Sequence, residues 1–124
     1  MDVARVLRAV CRALSDETRF RIAWALAEED LCVCELSDAL EVAQSTLSNH
    51  LGKMRDLGIV DARKDGNWTY YKLSESLREP ISAMFEAFAE DLDMDETLRN
   101  DQQRLDQRLE MRVGGKCIRS YGQL

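Results

Sequence analysis

Cys32 and Cys34 stand one residue apart in the segment Leu31-Cys32-Val33-Cys34-Glu35. Thiolates are soft ligands suited to thiophilic ions. On a regular helix of 3.6 residues per turn, side chains two positions apart point about 200° apart. Both sulfurs can therefore face one ion only from an extended or unwound start. If both bind, the first turn of a helix over 31–40 is expected to distort, which would couple ion binding to whatever that helix supports. The competing reading makes one or both cysteines small buried hydrophobes. Cys117 lies in a glycine-flanked, polar stretch with Lys116 and Arg119 beside it. It reads as exposed, with neighbouring cations lowering its pKa, and as a third thiolate from the same or the other subunit. Cys11 falls within an apolar stripe and reads as core. No CxxC is present, which argues against a thioredoxin-like activity. His50 is the single histidine, so any site needing two from one chain is excluded. It reads as a hydrogen-bond donor on a polar helix face.

The elements that must position these residues follow from periodicity. Val3, Val6, Leu7, Val10, Cys11 and Leu14 form one helical stripe. Ser15 is a candidate cap for a second helix to about Ala27, with Phe20, Ile22, Ala23 and Leu26 apolar. Residues 31–40 form a short helix, 41–43 a turn, and Ser45 can cap a helix to about Leu57 with Leu47, Leu51, Met54 and Leu57 inward. Two helices joined by such a turn make a helix-turn-helix. Asp65-Gly66 between β-prone runs predicts a hairpin. A hairpin directly after a helix-turn-helix makes a winged helix. The expected fold is mainly α with one β-hairpin, a winged helix-turn-helix, dimeric. Leu77, Ile81, Met84, Phe85, Phe88 and Leu92 form a dense stripe, and with the first helix suggest a homodimer seam. The expected division is a DNA-binding and dimerisation domain over 1–92, then a C-terminal helix and flexible tail over 93–124. The helix over 97–112 has a thin stripe of Leu98, Leu105 and Leu109 and needs a partner surface.

The net charge of −6 over 124 residues argues at first against nucleic acid. Its distribution reverses that: residues 1–40 carry −3, residues 41–78 carry +1 and residues 79–124 carry −4. The acid-free run from Gln44 to Lys53 would offer Gln44, Ser45, Thr46, Ser48, Asn49, His50 and Lys53. Gln and Asn suit adenine edges, and Ser or Thr suit bases or phosphates. Lys53, Arg63 and Lys64 suit phosphate contacts. The partner so implied is double-stranded DNA, read as two half-sites by a dimer. No run approaches ~20 apolar residues, and the N-terminus alternates charge too quickly for a signal peptide. No membrane is expected as a partner, and the expected location is cytoplasmic. No catalytic base, oxyanion hole or cofactor loop is legible, so an enzyme is not expected.

The stretches ALSDETRFRI, DLCVCELSDAL, QSTLSNHLGKMRDLGIV and RKDGNWTYYKLS occur in this order. Together they resemble the second helix, metal-binding signature, recognition helix and wing of the ArsR/SmtB family of winged-helix metalloregulators, across roughly residues 5–90. The resemblance implies a homodimeric repressor that leaves its operator when As(III) or Sb(III) binds three cysteine thiolates. Cys32 and Cys34 match two of those ligands. The family's arsenical repressors often carry a third cysteine shortly after the pair, where this chain has Ser37. Cys117 is the favoured third ligand, with Cys11 second. The family's cadmium/lead sensors share the Cys-Val-Cys motif, so a Cd(II), Pb(II) or Zn(II) response is the alternative, as is thiol oxidation. The operator itself needs no cofactor for binding in this reading.

Overall fold

The structure is a computed structural model describing residues 2–124. Seven helices and three strands follow one another: α1 (Val3–Leu14), α2 (Glu17–Leu26), β1 (Leu31–Cys32), α3 (Val33–Leu40), α4 (Gln44–Asp56), β2 (Val60–Asp65), β3 (Trp68–Leu73), α5 (Glu75–Ala87), α6 (Ala89–Asp93) and α7 (Glu96–Leu109). The strands form one antiparallel sheet in the order β1-β3-β2. The helix-turn-helix is α3–α4 and the wing is β2–β3, joined by a two-residue loop in which Gly66 takes φ 63°. None of the helices among the described residues is long and apolar enough to cross a membrane.

Capping differs from expectation by a residue. Asp16, not Ser15, caps α2, its carboxylate accepting the Arg19 amide at 3.0 Å, while the Ser15 hydroxyl closes α1 on the Arg12 carbonyl. A carboxylate at the cap also meets the helix dipole, which a hydroxyl does not. α4 begins at Gln44, so Ser45 lies inside its first turn. The turn before it is made by Glu41, whose left-handed φ of 53° ends α3.

The core joins Ile22 and Leu26 of α2, Leu36 and Leu40 of α3, Leu47, Leu51 and Met54 of α4, and Ile59 and Leu73 around the wing. Each such side chain contributes about 1.5–3 kcal/mol on burial. Of the α5 stripe, only Leu77, Ile81 and Phe85 turn inward; Met84 and Phe88 stay exposed. The α1 stripe divides likewise. Val10 is buried, but Val3, Leu7 and Cys11 lie on an uncovered side. The stripe is wider than the surface one protomer offers, so the expectation of Cys11 as core does not hold for this chain alone.

The thin stripe of α7 finds its surface on α3 and α2. Leu98 and Leu105 are buried there, and ion pairs do the rest: Asp101 receives Arg21 and Arg104, and Arg108 pairs with Asp38 at 2.7 Å. Residues after α7 fold back over α3, where Asp38 accepts the Gly122 amide at 2.8 Å and Arg108 donates to the Arg119 carbonyl at 2.7 Å. The tail expected to be flexible is thus tied down by charged residues, which an apolar periodicity does not register.

Candidate functional site

Three elements converge on the thiols. Cys32 ends β1 and caps α3 in an extended conformation (φ −83°, ψ 163°), so the helix starts only at Val33. Cys32 and Cys34 then point the same way, with their Sγ atoms 2.8 Å apart. Cys117 arrives from the chain beyond α7, its Sγ 3.5 Å from that of Cys34. All three sulfurs lie within 4.8 Å of one another and all three residues are buried. Two sulfurs each ~2.3 Å from a common ion are at most ~4.6 Å apart, so a thiophilic ion fits with sub-ångström adjustment. The extended start is the condition foreseen for a shared ion, and it exists without unwinding α3. The expected distortion of the first helical turn is therefore unnecessary. Cys11 is not part of this cluster.

Cys117 was expected to be exposed with a depressed pKa; it is buried, and its pKa is raised. Burial itself pushes the thiol up, aided by the nearby Cys32 thiol. The Cys32 thiol is also raised, through its bond with Cys34 and then burial. The chain therefore holds both residues as neutral thiols near neutral pH.

Polar residues that motif spacing does not reveal build the frame. Glu35 is fully buried; its carboxylate accepts the Cys32 amide at 3.0 Å and both arms of the Arg112 guanidinium at 2.7 and 2.8 Å. Burial would raise its pKa, but Arg112 and the Cys32 amide outweigh it and hold the carboxyl below its ordinary 4.5. Arg112 also donates to the Asp30 carbonyl, locking the approach to β1. Tyr70 of β3 accepts the Cys117 amide at 2.8 Å through its hydroxyl. Arg108 places a guanidinium nitrogen 3.9 Å from Cys117 Sγ. For Arg108 and Arg112 the sequence does carry a signal, four arginines within 97–112, which a reading by apolar period leaves aside. A cavity of about 280 Å³ opens on the pair, lined by Cys32, Cys34, Gln44, Trp68, Thr69 and Tyr121 among others, and gives an entry path.

The polar run lies as expected along α4. Gln44, Ser45, Thr46, Ser48, Asn49 and Lys53 are exposed, opposite Leu47, Leu51 and Met54. Arg63 and Lys64 are exposed on β2. His50 stands apart from the others: it is half-buried against α2, its Nδ1 accepting from Arg19 at 3.4 Å and 3.8 Å from Asp16. This bond puts the proton of a neutral ring on Nε2.

A family model described as "Bacterial regulatory protein, arsR family" matches residues 16–62, the span from α2 through α4 into β2. Over 78 residues the chain is 40% identical to the arsenic resistance transcriptional regulator ArsR2 of Pseudomonas putida, 62% of this chain and 68% of that one. The chain belongs to the ArsR family. Other ArsR-family relatives are the arsenic resistance transcriptional regulator ArsR1 of Pseudomonas putida, at 42% identity over 60% of this chain, and a Staphylococcus aureus homologue of the cadmium resistance regulatory protein CadC, at 43% over 60%. The matches span 59% and 60% of those two proteins' lengths. Among solved structures, HlyU from Vibrio cholerae N16961 is 30% identical, with TM-score 0.65, covering 71% of this chain and 97% of that one. The homodimeric winged helix-turn-helix DNA-binding domain Mb0332 of Mycobacterium bovis, at 23% identity and TM-score 0.64 over 76% of this chain and 88% of that one, shares the fold. The ArsR-family fold is thus a winged helix-turn-helix here, as the motif order predicted.

Proposed function

We propose that the protein is a homodimeric transcriptional repressor that binds double-stranded operator DNA through α4 and the wing. It is released when As(III) or Sb(III) is bound by Cys32, Cys34 and Cys117. The observation that carries this reading is the convergence of three buried sulfurs, two of them held as neutral thiols. Arsenous acid is neutral and brings its own hydroxides: three thiols and As(OH)3 give the trithiolate and three waters, with no net proton release. A divalent cation must instead displace thiol protons, which raised thiol pKa values oppose. Three sulfur ligands also leave a tetrahedral Zn(II) or Cd(II) one short.

Gln44 and Asn49 would read base edges, with Ser45, Thr46 and Ser48 on bases or phosphates, and Lys53, Arg63 and Lys64 on the backbone. His50 would position the helix through Arg19. The dimer would form through the uncovered faces. α1 exposes Val3 and Leu7 among Arg5, Arg8 and Arg12, while the end of α5 and α6 expose Met84 and Phe88 among Glu86, Glu90 and Asp91. Opposite charge beside matching apolar patches suits a two-fold pairing. This reading takes the cytoplasm as the site of action.

A cadmium, lead or zinc response is the second reading, favoured by the cadmium-named relative. A thiol oxidation response is supported by the 3.5 Å contact of Cys34 with Cys117. One experiment separates them: fluorescence anisotropy of the reduced protein on DNA from upstream of its own gene, titrated with arsenite, Cd(II), Zn(II) and peroxide in turn. Release by arsenite, lost in Cys34→Ser and Cys117→Ser while DNA binding stays, is expected. Arsenite affinity should change little from pH 6 to pH 8, whereas any Cd(II) affinity should climb. Release by Cd(II) or peroxide alone would overturn the arsenical reading.

A further inference from the structure

The thiol site has no need to unwind α3, because Cys32 is already extended and its sulfur already meets that of Cys34. A signal from the site must then leave by another element. Of the three cysteines, Cys117 is the one on irregular chain, outside every helix and strand, and such backbone yields most readily.

Its amide is held by the Tyr70 hydroxyl at 2.8 Å. Tyr70 lies in the central strand β3, paired with Cys32 on one side and with Arg63 on the other. The Arg63 guanidinium sits over the Tyr70 ring, 4.6 Å from its centroid, and Arg112 stands 5.7 Å from the same centroid. One residue before Cys117, Lys116 pairs with Asp65 at the wing's turn at 3.2 Å. The chain that carries the third thiol is thus fastened to the wing at two points, and one of them underlies a wing cation.

We propose that Tyr70 is the positioning residue that transmits the state of the thiol site to the wing: its hydroxyl holds the Cys117 amide while its ring seats Arg63, so that movement of Cys117 shifts the wing's cationic surface. Tyr70 is only 3% exposed, so its ring has little room to absorb a displacement at one end without passing it to the other. This linkage rests on the ion and DNA reading above, and the test separates the two.

The test is Tyr70→Phe, which keeps the ring beneath Arg63 and removes the acceptor for Cys117. In the ligand-free protein, amide hydrogen exchange across β2–β3 should speed up in this variant, with no ion or DNA involved. Arsenite affinity without DNA, read by thiolate–arsenic ultraviolet absorption, should stay within about twofold of the parent in Lys116→Gln, whose side chain lies outside the frame of the thiol site. In Tyr70→Phe the ratio of DNA affinities without and with arsenite, ~5–150 for coupling of this kind, should fall toward 1. Where the parent responds to arsenite, a ratio equal to the parent's would overturn the proposal, whatever the hairpin exchange shows. Faster hairpin exchange in a protein whose parent ignores arsenite on DNA would uphold the Tyr70 linkage and sink the inducer reading instead. Lys116→Gln, at an exposed residue, supplies a second variant: it should speed exchange at the wing's turn, and unchanged exchange there counts against the proposal.

Discussion

Glu35 carries more of the site than its place beside the cysteines suggests. Its carboxylate is wholly buried and answers both the Cys32 amide and Arg112. Removing one partner of a buried pair leaves an unanswered charge and costs about 3–5 kcal/mol. Glu35→Gln should therefore lower stability by about 3 kcal/mol at pH 7, measured by urea unfolding. Its folded pKa lies below the ordinary 4.5, so its contribution is present above that value and lost as pH falls through the folded pKa. The gap between parent and variant should close in acid. A gap that persists at low pH would mean that Glu35 acts through shape and not charge.

At the scale of elements, α7 and the chain beyond it are bound to α3 chiefly by charge. Asp38 of α3 receives Arg108 and two amides of the C-terminal segment, those of Gly122 and Gln123. It thereby ties the supporting helix of the helix-turn-helix to the segment that brings Cys117. Asp38→Ala should cost about 3 kcal/mol, because Arg108 is fully buried and keeps its charge. Faster amide exchange should follow in residues 117–124, by a larger factor than in α4. Exchange unchanged in that segment would show that the tail is held by other contacts. The helix boundaries of α3 and α4 were legible from period to within a residue or two, though Ser45 is not the cap of α4. The two-residue strand β1 was not. Its residues are too few for alternation to show, and it exists only because Tyr70 and Tyr71 of β3 offer a free edge.

At the scale of the whole molecule, α1 and α5–α6 each leave an apolar face open. Phe88 is 59% exposed and Leu7 55%, and neither has a partner within the protomer to explain its type. Phe88→Glu would put a charge into the proposed seam and add to its acidic flank. Sedimentation of this variant should give a monomer where the parent gives a dimer. Its affinity for DNA should fall steeply, since one protomer presents only one half-site. A variant that still sediments as a dimer would move the seam elsewhere.

The sequence by itself determined the winged helix-turn-helix, the polar face of α4, the hairpin turn and the identity of the thiol pair. Each is written in local period, capping chemistry or turn residues within a few positions. Only the tertiary structure decided that Cys117 is buried beside Cys32 and Cys34, since 83 residues separate it from Cys34 and nothing local marks the meeting. The same holds for Glu35 with Arg112, Asp38 with Arg108, and Tyr70 with the Cys117 amide. Their pairing depends on how α7 and its extension cross α3 and the sheet, and charged partners far apart along a chain leave no periodic trace. Cys11 shows the reverse. Its stripe is evident in sequence, but which side of it a protomer covers is settled by packing.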